Sequence, residues 1–180
     1  MKIINFIILL LAASLFTGCG FHLRGSQDLS VVLPEVQLSG VNQHSELGRD
    51  LIRALTTSKV TVVDESTTVL SIRQDSISKR VLSVDSAGRA NQYELKYQLA
   101  FVLQQKIQGE SDNKAQLVDL IKPQTITEKR EYLFDANSVL AKTAEEIKLN
   151  NDMRQSALIQ LLRRLKYSLK SSDKTGSVVK

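Results

Sequence analysis

The 180 residues suit a single domain, and a formal charge of +5 with 42% hydrophobic and 5% aromatic content describes a mildly basic, moderately polar chain. The basic residues are dispersed rather than clustered with aromatics, which argues against a nucleic-acid module. A single cysteine excludes an intramolecular disulfide and a cysteine-based metal cluster.

The N-terminal segment explains that cysteine. Met1 and Lys2 form a short positive region, Ile3 to Phe16 are almost unbroken apolar, and the small Thr17 and Gly18 stand directly before Cys19. The pattern reads as a cleaved lipoprotein signal over residues 1–18, with Cys19 as the lipid-carrying first residue of the mature chain. Small side chains beside the scissile bond admit a signal peptidase, and the thiol takes an S-diacylglycerol group before the new amine is N-acylated. Phe16 stands where a leucine is usual, although Leu15 is beside it. An uncleaved anchor fits less well, because about fourteen apolar residues span only ~21 Å as a helix, short of a ~30 Å hydrocarbon core. Gly20 replaces the Asp that retains enterobacterial lipoproteins in the inner membrane, so the expected destination is the outer membrane.

Residues 19–30 form a polar, lipidated tether, and residues 31–170 are expected to fold as one domain. Val31 to Leu38 reads as a strand interrupted by Pro34, which favours an edge or a strand's first residues. Asn42 to Ser45 then offers capping side chains ahead of Leu47, Leu51, Ile52 and Leu55, the spacing of a short amphipathic helix. Val60 to Val63 and Val69 to Ile77 read as strand, broken at Asp64 to Ser66. The clearest strand follows, where Tyr93, Leu95, Tyr97, Leu99, Phe101 and Leu103 alternate with mostly polar residues. Ser83 to Asn91, with Asp85, Gly88 and Arg89, supplies the hairpin turn before it.

A second polar turn over Gly109 to Lys114 leads into Ala115 to Ile121, Pro123 interrupts, and Ile126, Glu128, Arg130 and Tyr132 resume the extended pattern. From about Asn137, Leu140, Ala144, Ile147, Met153, Ala157, Leu158, Leu161, Leu162, Leu165 and Leu169 follow helical spacing. Thr143 and Glu146 have capping-box spacing and offer a later start for that helix. Arg163, Arg164, Lys166 and Lys170 complement the dipole of its last turns, and residues 171–180 lack periodicity and read as a disordered tail. The order predicts an α+β two-layer sandwich, with two helices packed on one face of a four-stranded mixed sheet.

No constellation for catalysis is visible. His22 and His44 lack ligand partners at metal spacing, there is no nucleophile motif or phosphate-binding glycine loop, and the one thiol is committed to lipid. Glu145 and Glu146 are adjacent on a helix and diverge by about 100°. The chain is expected to be no enzyme and to hold no metal or cofactor beyond its covalent lipid.

Several segments carry a resemblance. Gly18-Cys19-Gly20-Phe21-His22-Leu23-Arg24 resembles the opening of the LptE family of lipopolysaccharide-assembly lipoproteins. Gln92-Tyr93-Glu94-Leu95 is similar to that family's tyrosine-bearing central strand. Arg130, Phe134-Asp135 and Leu140-Ala141-Lys142 resemble the segment before its last helix, and Asp152-Met153 with Gln160 to Leu165 resemble that helix. The resemblance covers nearly the whole mature chain. It implies an outer-membrane lipoprotein that plugs the β-barrel protein LptD one-to-one and binds lipopolysaccharide during insertion into the outer leaflet. A free-standing periplasmic ligand-binding or scaffold lipoprotein is the alternative.

It also implies lipopolysaccharide-binding basic residues before the tyrosine-bearing strand and in the Leu-Ala-Lys segment. Lys142 matches the second position, whereas alignment on Gly88 and Tyr93 puts Ser86 at the first, leaving Arg89 as the nearby substitute. Arg130 joins them as a third candidate.

Overall fold

The computed structural model describes residues 28–108, 115–135 and 138–176. The signal segment, Cys19, Gly20, His22 and the tether up to Gln27 lie outside the described residues, as do the turn at 109–114, Asn137 and residues 177–180.

The elements are β1 (Glu35–Ser39), α1 (Glu46–Thr57), β2 (Thr61–Val63), β3 (Thr68–Val84), β4 (Ala90–Gln108), β5 (Ala115–Leu133) and α2 (Val139–Gly176). The strands form one sheet in the order β2-β1-β3-β4-β5. Strand β1 is parallel to both its neighbours, and β3, β4 and β5 run antiparallel. The α+β sandwich is as expected, but its sheet has five strands rather than four, because β2 pairs with β1 rather than leading into β3.

Helix α1 forms where the capping residues predict it: Ser45 Oγ accepts the Gly48 amide at 3.0 Å, and Leu47, Leu51 and Leu55 are buried. Gly40 lets the chain leave β1 beside β3. Its φ is +72°, and a Cβ there would stand 2.2 Å from the Ile72 carbonyl oxygen. Pro34 ends the turn before β1, so it removes no ladder donor although β1 is flanked on both sides.

The alternation in β4 is realised: Leu95, Tyr97, Leu99, Phe101 and Leu103 are fully buried under the helices. They pack with Leu51 and Leu55 of α1 and with Met153, Leu158, Leu161 and Leu165 of α2 in one core. Leu29 and Leu33 join that core, so the chain is seated in the domain two residues beyond Gln27.

Four expectations are corrected. Strand β3 runs on past Ile77 to Val84, because Ser78, Arg80 and their neighbours find partners along β4. Strand β5 passes through Pro123 unbroken, since an edge strand with a bulge opposite Val102 absorbs a residue that cannot donate. Thr143 lies inside α2, its hydroxyl donating to the Val139 carbonyl at 3.0 Å, so it caps nothing. The helix continues to Gly176, which makes 171–176 helical rather than tail and leaves Arg163, Arg164 and Lys166 short of the last turns.

The long elements set the shape. Nineteen residues of β5 reach ~60 Å at ~3.3 Å each, and the 38 residues of α2 reach ~57 Å at ~1.5 Å each, running back along it. The sheet therefore has two ends. Asp28, β1, β2 and α1 surround the starts of β3 and β5 at the body end, and the β3–β4 turn meets the end of β5 and the start of α2 at the distal end.

Candidate functional site at the distal end

All three predicted basic residues lie toward the distal end, and the topology explains why. Arg89 is in the β3–β4 turn, Arg130 is three residues from the end of β5, and Lys142 is in the first turn of α2. The Phe134 amide donates to the Asn91 carbonyl at 2.9 Å, tying the end of β5 to the start of β4.

The turn is organised by Asp85. Its Oδ1 accepts the amides of Ala87 and Arg89, each at 2.9 Å, while Gly88 turns the chain with a φ of +76°. The backbone amide of Arg89, then its side chain, hold the Asp85 carboxyl below the usual carboxylate range. The Arg89 guanidinium reaches Asp85 Oδ2 at 2.9 Å and is 74% exposed, so it can exchange that partner for another anion. Lys142 Nζ pairs with Glu145 at 2.8 Å. Arg130 has two partners: Nη1 donates to the Lys129 carbonyl at 2.9 Å and lies 3.5 Å from Glu128.

Sequence reasoning missed a fourth cation. Lys79 of β3 lies 4.2 Å from the Tyr93 ring centroid and 5.4 Å from that of Tyr132. Its ammonium bonds Glu146 of α2 at 2.6 Å, and the Tyr132 hydroxyl donates to the same carboxylate at 2.5 Å. Tyr93 stacks on Tyr132 and meets Phe134 edge-on, with centroids 5.7 and 5.6 Å apart. Partial burial works to raise the Glu146 carboxyl, but the bonds from Lys79 and Tyr132 outweigh it and leave it below the usual range. Desolvation likewise opposes the Lys79 charge, and Glu146 more than restores it, holding the ammonium above its ordinary value. A pairing across 67 residues has no local sequence signal beyond the alternation that puts Lys79 on the helix-facing side of β3.

Around these charges the surface is apolar. Leu140, Ala144 and Ile147, which follow helical spacing in the sequence, face away from the sheet, and Leu140 is 88% exposed. Val81, Val84, Leu133 and Val139 are exposed beside them. Cations and apolar side chains at one end match the chemistry of an anionic amphiphile, with charge-assisted bonds for its anionic groups and apolar area for its chains.

Fold and surface together define an α+β domain with a cationic and partly apolar distal end. The LptE family model, described as lipopolysaccharide-assembly, matches residues 33–165. The LPS-assembly lipoprotein LptE of Pectobacterium atrosepticum is 30% identical over 164 residues, covering 88% of this chain and 83% of that protein. Its namesake in Photorhabdus laumondii is 27% identical over 162 residues. Among solved structures, rare lipoprotein B of Shewanella oneidensis superposes with a TM-score of 0.57 at 28% identity, covering 79% of this chain and 98% of that one. Lipoprotein B of Nitrosomonas europaea gives 0.60 at 30% identity, covering 82% and 91%. The chain belongs to the LptE family: it is an LPS-assembly lipoprotein of the bacterial envelope or outer membrane, and not an enzyme.

Proposed function

We propose that the mature chain is fixed by N-acyl and S-diacylglycerol lipids on Cys19 to the outer membrane, from the periplasmic side, and plugs the lumen of the LptD β-barrel one-to-one. In this reading its distal end binds lipopolysaccharide, with Lys142 and Arg89 contacting phosphates of lipid A or the core and Arg130 adding positive potential beside them. The observation that carries the reading is the separation of the two ends. The described chain begins at Asp28 in the body, and nine residues from Cys19 to Gln27 reach at most ~32 Å. The sheet then runs ~60 Å to the cationic end, longer than the ~40 to 45 Å of a bilayer with its headgroups. A chain tethered at one face of a membrane thus has the length to present its far end at the other, provided that a polar lumen surrounds it. The helix-free face of the sheet suits such a lumen, since it carries Arg80, Glu94, Lys96, Gln98, Thr127, Lys129 and Glu131.

Extraction in mild detergent tests this. A plug comes out with a large barrel protein in equal amount; a chain that comes out alone is a free-standing periplasmic binding or scaffold lipoprotein instead. Mass spectrometry of the mature N-terminus tests the anchor, because an unmodified Cys19 contradicts it, and Cys19→Ala is expected to leave a longer, unlipidated precursor.

A further inference from the structure

Strand β5 ends the sheet, so alternate residues along it turn their backbone N–H and C=O away from β4. One hydrogen bond fixes the parity. The Phe134 amide donates to the Asn91 carbonyl at the start of β4, so the even positions of β5 face inward. Thr125, Thr127, Lys129, Glu131 and Leu133 face outward. Beyond Thr125 the bulge and Pro123 spoil the edge, but from Thr125 to Leu133 it is regular and long enough for another strand to add.

Two arginines sit on this edge. Arg130 Nη1 donates to the outward carbonyl of Lys129 at 2.9 Å, held there by Glu128 at 3.5 Å. Arg164 of α2 reaches over to the outward carbonyl of Thr125 at 3.2 Å and to Gln124 Oε1 at 3.3 Å. Two acceptors that an added strand needs are therefore already taken, four residues apart.

We propose that the β5 edge is a strand-pairing surface closed by Arg130 and Arg164, and that its occupant, once it is open, is a second copy of this chain. The charge pattern selects that occupant and its register. An antiparallel pair of β5 strands centred on Arg130 puts Lys129 of each copy opposite Glu131 of the other, and Thr127 opposite Leu133. Both charged residues are exposed and lie on the helix-free face, opposite Lys96 and Glu94 in the sheet. The pairing thus forms two complementary cross-strand ion pairs about one twofold axis. At its centre each Lys129 carbonyl accepts the Glu131 amide of the other copy, and this is the acceptor that the Arg130 guanidinium occupies. The closure keeps the chain single while its edge is uncovered. It concerns the edge alone and stands whether or not the distal end binds lipopolysaccharide.

Light scattering of the full mature chain in detergent, corrected for bound detergent, reads the outcome as one chain or two. The parent is expected to be one chain, and Arg130→Ala with Arg164→Ala to become two as concentration rises. Adding Lys129→Glu to that variant sets Glu against Glu and returns it to one chain; adding Glu131→Lys as well restores the pair. Circular dichroism checks that each variant is folded. If the double variant is not, Arg130→Ala alone is read, with a smaller paired fraction expected. Arginine variants that remain single at every concentration overturn the proposal, and so does a pair that Lys129→Glu leaves intact.

Discussion

The two ends of the molecule are built from the same three strands and one helix, yet they are held by different forces. At the body end the parallel strands β1 and β2 widen the sheet and α1 covers it beside α2, and side chains such as Leu51, Leu70, Leu99 and Leu161 are fully buried. At the distal end, among the described residues, no second helix covers the sheet. The first turns of α2 meet it through Lys79, Glu146 and the tyrosines, while Leu140 and Ile147 face outward. Burial by itself makes a stable and unreactive end. Ion pairs and ring contacts make one whose cations and apolar side chains stay available to a partner.

The largest effect is expected from breaking the body. Leu161→Ala should cost ~2 to 5 kcal/mol, the loss of a fully buried leucine with its cavity left behind. Gln98→Ala, on the helix-free face of the same region, should cost under ~1 kcal/mol. Denaturant unfolding of the mature chain compares them, and equal small losses would mean that the strand faces are assigned wrongly.

The two left-handed glycines sharpen the contrast. Gly40 and Gly88 have nearly the same φ, but a Cβ at Gly40 meets backbone at 2.2 Å and one at Gly88 meets nothing within 4 Å. Gly88→Ala should therefore cost only the ~1 to 2 kcal/mol of the backbone conformation, and Gly40→Ala clearly more. Melting both variants tests the order, and the reverse order would contradict a tight body and an open turn.

How far the sequence reaches follows the same division. The strictly alternating β4 and the capped helix α1 could be read because one periodic stripe meets one core, and the Asp85 to Arg89 turn because its residues bond one another. The polar half of β3, the passage through Pro123 and the Lys79–Glu146 pair all depend on partners far away in the chain. Helical spacing also shows that Leu140, Ala144 and Ile147 form a stripe without showing what covers it. The three basic candidates were legible as residues, and their common end only from the topology.

A smaller effect is expected from pH, and it belongs to the distal end. The Glu146 carboxyl is held below its ordinary 4.5, so its contribution to stability is complete above that value and disappears as pH falls through the lower folded one. Lys79, held above its ordinary 10.5, contributes fully below that value and loses its share as pH rises through the higher folded one. Melting temperature followed from neutral into acid should fall less steeply for Glu146→Gln than for the parent. Identical acid limbs would mean that the ion pair does not hold α2 to the sheet.

The division of labour between the ends is tested most directly by lipopolysaccharide binding to the chain carrying Arg89→Glu and Lys142→Glu, measured at low salt where screening is weakest. Each lost charge-assisted bond removes ~1.5 to 3 kcal/mol, so affinity is expected to fall by at least roughly a hundredfold. The unfolding midpoint should fall only slightly, because the two ion pairs lost are on the surface and both side chains lie outside the buried core, and the amount of co-extracted barrel should stay unchanged. Binding as tight as the parent's would contradict a distal end that carries the site.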